Sequence, residues 1–445
     1  MIWSKKQSDL KNIAYTLIKF SIPLILSGIL QQLYNWADAF IIGNVNGEIS
    51  LAAIGATSTV INLYLMVITG FTLGLSILFA QKFGSKEIAS IPKILATFSM
   101  LLGAVFVLLA AVGIGLTFPL LRMLHTTWDT IYLAEQYLRI IFLGIPFLAV
   151  YNVYAAALRG IGDSRTPFLA VLLSSVVNVI LDVLFVVLLH LGVIGAAVAT
   201  VISQAAMTIF LVTYSISKHP LLRFYPGKRS LDRKALVHGL RLGFPPMVQS
   251  SVSAFGSLIL QDFMNGFGTQ TVAAITTAYR VDSIVLIPII NLGSGISTIV
   301  AQSHGAGQNK RAYKIFFVGM VLMTMVALIL TLLVIPSGGH LIAMFGTGAE
   351  ATEIGKDFFH RIASFYIVFG LATAVRGYLE GIGDVLYSSI AGILSLLSRI
   401  LLSYSLAAFF DNMIIAYAEA FSWGVLLVLY LLRVIWKKLN FSLSK

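Results

Sequence analysis

The sequence predicts an all-α polytopic membrane protein with twelve transmembrane helices in two pseudo-symmetric six-helix lobes. Three observations predict it. Of the 445 residues 58% are hydrophobic and only 11% charged, with mean hydropathy +0.93, whereas a soluble domain carries about 25% charged residues. Apolar runs of about 20 residues, enough to cross a hydrocarbon core of roughly 30 Å as a helix, recur along the whole length. The third observation is an internal repeat, offset by about 221 residues.

Hydropathy places the amino-terminal spans at 13–42, 51–80, 94–119, 132–158, 168–189 and 192–216. The first twelve residues are polar and basic, and the apolar run behind them is too long for the core of a cleaved signal peptide, so it is expected to be the first span. Gln31, Tyr34, Asn35 and Asp38 recur in it at 0, 3, 4 and 7, one stripe of a helix, and such a stripe must face a polar interior. Pro23 in the same span removes one backbone hydrogen bond and permits a bend. Tyr137 and Asn152 lie in the fourth span. The fifth, Phe168 to Leu189, is apolar apart from Ser174, Ser175, Asn178 and Asp182. Asn178 and Asp182 are four apart and share a face. A carboxylate at membrane depth costs about 2.5–3.5 kcal/mol even on insertion scales, so it must face protein, water or an ion. Thr200 in the sixth span is the best additional oxygen. Two acids with an amide beside one suit either a bare monovalent cation or a proton shared between coupled acids.

Ser217 to Gly239 is the longest, most basic and most Pro/Gly-marked hydrophilic stretch, expected to be a cytoplasmic linker (217–239) between lobes 1–216 and 240–445. The carboxyl-terminal spans follow at 240–266, 272–301, 313–335, 358–375, 385–409 and 413–435. With the amino terminus inside, 23 of the 30 Lys and Arg fall in inner segments and three, Arg122, Lys356 and Arg361, in outer loops. That bias is the positive-inside pattern and puts both termini in the cytoplasm. The net charge of +12 is thus topological, and no nucleic-acid partner is expected.

Four blocks carry the repeat: SIP at 21–23 with GFP at 243–245, one residue out of step, GEISLAAIGA at 47–56 with GTQTVAAITT at 268–277, FAQKFGSK at 79–86 with VAQSHGAG at 300–307, and LRGIGD at 158–163 with LEGIGD at 379–384. Six spans separate the copies, so the halves run parallel about an axis along the membrane normal. The paired GIGD segments follow no strand and are expected to be tight interhelical turns with a capping Asp rather than phosphate loops. Without cysteine the chain has no disulfide or cysteine-ligated metal. Its seven histidines are scattered, and neither a catalytic motif nor a GxxxxGK[ST] loop occurs, so neither an enzyme nor a built-in ATPase is expected.

The carboxyl half departs from the amino half. Asp262, Arg280, Asp282, Arg399 and Glu419 lie near or within its spans, and the 221 offset puts Arg399 opposite Asn178 and Ser403 opposite Asp182. The arginines are expected to serve as structural counter-charges to these acids, because buried charges are normally paired.

The duplicated plan, SIPLILSGILQQLYNWADAFIIG in the first span, the paired AQ-x2-G and GIGD turns and Asn178-x3-Asp182 resemble the multidrug and toxic compound extrusion (MATE) family over essentially the whole chain. The repeat plan alone is shared with lipid-linked saccharide flippases, so the first and fifth spans supply the specificity. DinF-like members match residue by residue. That resemblance implies a coupling-ion site of Asp38, Asn178, Asp182 and Thr200, with Gln31, Tyr34, Asn35, Tyr137 and Asn152 around it. NorM-like members instead place acids in spans seven and ten; Asp262 could serve in one, but 358–375 contains no acid. The resemblance implies a monomeric inner-membrane antiporter exporting amphipathic, cationic organic compounds against H⁺ or Na⁺, with no cofactor besides the transported ion and no metal beyond Na⁺. Met66, Phe71, Met247, Phe255 and Phe263 are candidate liners of a substrate cleft.

Overall fold

The computed structural model describes residues 2–223 and 232–443, so part of the expected linker, 224–231, lies outside the described residues. No strand occurs among those described. The helices are α1 (Ile2–Gly84), α2 (Ile91–Met123), α3 (Trp128–Gly160), α4 (Arg165–Asp182), α5 (Gly192–Lys218), α6 (Arg233–Asn265), α7 (Thr269–Val285), α8 (Ile287–Gly305), α9 (Asn309–Ala343), α10 (Ala349–Ala363), α11 (Tyr366–Gly381), α12 (Val385–Phe410) and α13 (Ile414–Leu443). Among the described residues seven helical stretches are long and apolar enough to cross a membrane, nine if each of two bent pairs counts as one span.

The spans differ from the hydropathy reading where backbone chemistry interrupts or extends them. No loop separates the first two runs. Helix continues through 43–50 and breaks only at Gly47, whose φ of 80° and ψ of −176° favour glycine. The run 272–301 bends by 41° between α7 and α8, where Pro288 lacks the N–H and its ring crowds the preceding turn. The expected span 358–375 is the end of α10 and most of α11, bent by 48°. There the Ser364 hydroxyl donates back to the His360 carbonyl at 2.8 Å, a bond that bends helices. The fifth run stays helical but passes into a π-helical segment, Val183–Leu188, directly after Asp182.

The chain forms two compact units, one of residues 1–25 and 248–445 and one of 26–247, rather than parting at 216 and 240. Both crossings fall next to prolines of the repeated SIP/GFP block, Pro23 in α1 and Pro245–Pro246 in α6. In the first unit the start of α1 contributes Leu17, Phe20 and Leu24 to a core with Phe358, Tyr366 and Trp423. In the second, Ile42, Tyr137, Ile141 and Val186 pack together.

The two GIGD turns do different work. Asp163 accepts from the backbone N–H groups of Arg165 and Thr166, both at 3.0 Å, capping α4, and it contacts His219 beyond α5 at 3.1 Å. Burial would push its carboxyl up, but these bonds and the Thr166 hydroxyl hold it below the usual value. Asp384 instead grips Arg433 at 2.7 Å and Lys437 at 3.0 Å on α13. Burial opposes its ionisation and the two cations more than offset it, leaving it too below the usual value.

Within the second unit, α1 and α6 cross almost backbone to backbone: a Cβ on Gly74 would lie 2.1 Å from the Leu242 carbonyl oxygen. Small residues permit such crossings between membrane helices. Gly74→Ala is therefore expected to lower the thermal unfolding midpoint in detergent, an overpacking cost of about 1–3 kcal/mol. Gly115→Ala, where a Cβ meets nothing within 4 Å, is the control and should leave the midpoint unchanged.

Candidate ion-coupling site

Four helices of the 26–247 unit converge on one polar cluster. α1 carries Tyr34 and Asp38, α4 carries Asn178 and Asp182 one turn apart, α5 carries Thr200 and α3 carries Tyr137. Asn178 and Asp182 are fully buried, at 0% and 1% exposure. With its amide nitrogen turned toward the acids, Asn178 donates to Asp38 Oδ1 at 2.8 Å and to Asp182 Oδ2 at 3.1 Å. The two carboxyl groups are within hydrogen-bonding reach of each other. Tyr34 Oη lies 3.5 Å from Thr200 Oγ1, and the buried Tyr137 lies within electrostatic reach of both acids. Behind the cluster, Ser203 donates to the Thr200 carbonyl at 2.8 Å, and Ser174 of α4 donates to the Ser203 carbonyl at 3.2 Å.

One atom is left over. Asp182 Oδ1 is buried and has no hydrogen-bond partner among the described residues. An unmatched acceptor on a buried carboxylate, with a second acid alongside, is the donor set that a proton or a small monovalent cation satisfies. No group of three or more His, Cys, Asp or Glu able to hold a metal ion occurs among the described residues. Asn152 is not drawn in by its amide, which donates to the Leu148 carbonyl of its own helix at 2.8 Å. Gln31 and Asn35 share the α1 stripe but are exposed.

The MatE family model matches residues 23–184 and again 245–405. The chain belongs to the MATE family. The two matches reproduce the spacing of the internal repeat, and family membership makes the chain a membrane transporter rather than an enzyme. Among its relatives, the probable multidrug resistance protein YpnP of Bacillus subtilis is 30% identical over 90% of this chain and 89% of its own length. YoeA of the same organism, also a probable multidrug resistance protein, is 30% identical over 94% of this chain and 93% of its own. A solved structure described as the outward-facing conformation of a multidrug resistance MATE family transporter superposes with a TM-score of 0.89 at 20% identity, covering 97% of this chain and 96% of that one.

In this MATE chain the carboxyl-terminal counterpart of the acid cluster is a network built around an ion pair. Arg399, at the repeat position of Asn178, donates to Glu419 at 2.9 Å and to the Tyr279 hydroxyl at 2.7 Å. The Tyr366 hydroxyl donates to Asp282. A cavity of about 320 Å³ adjoins this network, lined in part by Ser403, Gln261 and Phe263. Asp262 and Arg280 stand apart from it, exposed and in no ion pair among the described residues. A second pair, Arg376 with Glu380 at 2.6 Å, was hidden from a hydropathy reading that ended the tenth span at 375. Neither Tyr279 nor Tyr366 stands out in the sequence, although Tyr279 lies three residues before Asp282 on the same helix face. Of the expected liners, Phe71 is corrected: it is buried at 4% exposure, its ring 5.8 Å from that of Phe98, and Gly243 packs on it. Met66 and Phe255 are exposed, while Met247 is half-buried.

Removing one partner of a buried ion pair strands the other, at roughly 3–5 kcal/mol. The effect here should lie at the lower end, because Arg399 keeps 20% of its side chain exposed. Arg399→Met is expected to lower the unfolding midpoint, and Arg399→Met with Glu419→Leu to recover most of the loss. Tryptophan fluorescence on heating checks both, and an unchanged single variant would contradict the assignment.

Proposed function

We propose that this MATE chain is a DinF-like secondary active antiporter that exports amphipathic, cationic organic compounds against the entry of H⁺ or Na⁺. The multidrug resistance names of its relatives support the substrate class. The observation that carries the coupling reading is Asn178 standing between two carboxylates while Asp182 Oδ1 goes unmatched. Asp38, Asn178, Asp182 and Thr200 form the ion site, with Tyr34 and Tyr137 as its walls and Gln31, Asn35 and Asn152 as the wider polar lining of the helices.

The proposed architecture is twelve spans in two six-helix lobes. Nine are counted when the bent pairs are joined. Splitting the two longest stretches, at Gly47 and at Asp411–Met413, and adding α6 brings the number to twelve. The protein would work as a monomer in the plasma membrane, with both termini cytoplasmic, on the strength of the positive-inside charge bias. It takes no nucleic acid.

The cycle follows from charge. Two carboxylates side by side at membrane depth repel, and a proton or Na⁺ removes that repulsion, so the site binds a cation more readily than either acid would alone. A cationic substrate that needs the same negative charge is expelled when the cation arrives, which is reciprocal coupling of two ligands.

Efflux of a fluorescent organic cation from proteoliposomes tests this under separately imposed pH and Na⁺ gradients. Asp182→Asn and Asp38→Asn are each expected to reduce gradient-driven efflux by about tenfold or more, equivalent to ~1.4 kcal/mol or more of lost coupling. Asn178→Leu is expected to do the same by leaving both acids unbridged. Wild-type rates in both acid variants would sink the proposal.

A further inference from the structure

A cavity of about 800 Å³ lies in the carboxyl-terminal unit where α9 begins and α13 nears its end. Its walls combine three lysines, Lys310, Lys437 and Lys438, with three aromatic rings, Tyr313, Tyr378 and Trp436. The charge is unbalanced. The nearby carboxylate of Asp384 already takes Arg433 at 2.7 Å and Lys437 at 3.0 Å. Lys310 and Lys438 enter no ion pair among the described residues; the Lys438 ammonium rests 5.9 Å from the Tyr313 ring centroid. Arg433 in turn stacks 4.6 Å from the Trp436 centroid, which holds that ring in place.

We infer that this cavity binds an anionic phospholipid, its headgroup phosphate held by Lys310, Lys437 and Lys438 and the upper part of its acyl chains lying on the aromatic wall. A soluble anion would use the lysines but has no need of the rings. A zwitterionic lipid would use the rings but brings its own cation to a site already positive. Beyond the cavity, Leu432 and Ile435 of α13 are exposed, so an apolar surface continues for the chains. Tyrosine, tryptophan and lysine at one level are the side chains that settle where headgroups meet hydrocarbon. The inference rests on the cytoplasmic placement of both termini proposed above, which sets this cavity at the inner leaflet, where basic clusters meet anionic lipid.

Delipidated full-length protein in detergent is titrated with phosphatidylglycerol, with phosphatidylcholine of the same chains, and with inorganic phosphate, and bound lipid is counted by native mass spectrometry. Wild type should bind phosphatidylglycerol at least tenfold more tightly than phosphatidylcholine, with millimolar phosphate failing to displace it. Lys310→Gln with Lys438→Gln leaves the Asp384 pairs intact and should weaken phosphatidylglycerol alone, by about tenfold or more for two lysines. Should that variant unfold early, Trp436→Ser, which removes wall and no charge, must weaken binding of both lipids. Equal affinity for the two lipids, displacement by phosphate, or undiminished binding in a folded variant overturns the inference. The readout involves no transport, so its failure is distinct from failure of the coupling site. A cysteine introduced at Ser442, in a chain that has none, reports the sidedness separately.

Discussion

Asn178 bridges two carboxylates that would otherwise confront each other unaided in a medium of low dielectric, and the amino-terminal unit is arranged around that amide. Its two donors reach one acid on α1 and one on its own helix, so α1 and α4 are fixed in register by polar contacts at membrane depth. α5 is tied to α4 by the bond from the Ser174 hydroxyl to the Ser203 carbonyl, and the Ser203 hydroxyl donates to the carbonyl of Thr200, whose side chain faces Tyr34. Such bonds add modestly to stability in a membrane, about 0.6 kcal/mol each on average, so their value here is geometric. The regular ladder of α4 gives way to a π-helical segment directly past Asp182, and π turns tend to mark functional positions. Gly195 packs under that segment, where an added Cβ would lie 3.0 Å from Phe185.

Periodicity and cost made this cluster legible without coordinates. A polar stripe at 0, 3, 4 and 7 in an apolar run, and an acid one turn from an amide in another, are costly to leave to lipid; Tyr34 and Asp38 of the stripe join the cluster with Asn178 and Asp182, while Gln31 and Asn35 stay exposed. Single polar residues carried no such compulsion: Asn152 satisfies its own helix through Leu148, which no spacing rule forbids. Hydropathy averages were blind to breaks that a few atoms decide. Gly47 is one glycine in an otherwise helical run, Pro288 is one missing donor, and Ser364 is one hydroxyl turned back onto its own helix. Aromatic residues gave the weakest signal, since a phenylalanine in a membrane helix suits lipid, core and cavity equally; Phe71 went to the core. Tyr279 and Tyr366 became visible only once helix contacts showed which acids and cations they serve.

The duplication sharpens what the acid pair means. If both halves had kept the same polar residues, the Asp38–Asn178–Asp182 cluster could be explained as an architectural need of the six-helix repeat. The carboxyl-terminal half instead carries Arg399 and Ser403 at the matching positions, and Arg399 is paired with Glu419, with Tyr279 taking a further guanidinium N–H. A closed pair neither needs nor attracts an outside cation, because desolvating both partners already consumes most of their attraction. The repeat fold is therefore satisfied with or without paired acids, and packing alone does not account for the unmatched Asp182 oxygen. What distinguishes the amino-terminal copy is that its two acids face one neutral amide and, among the described residues, form no ion pair with an Arg or Lys.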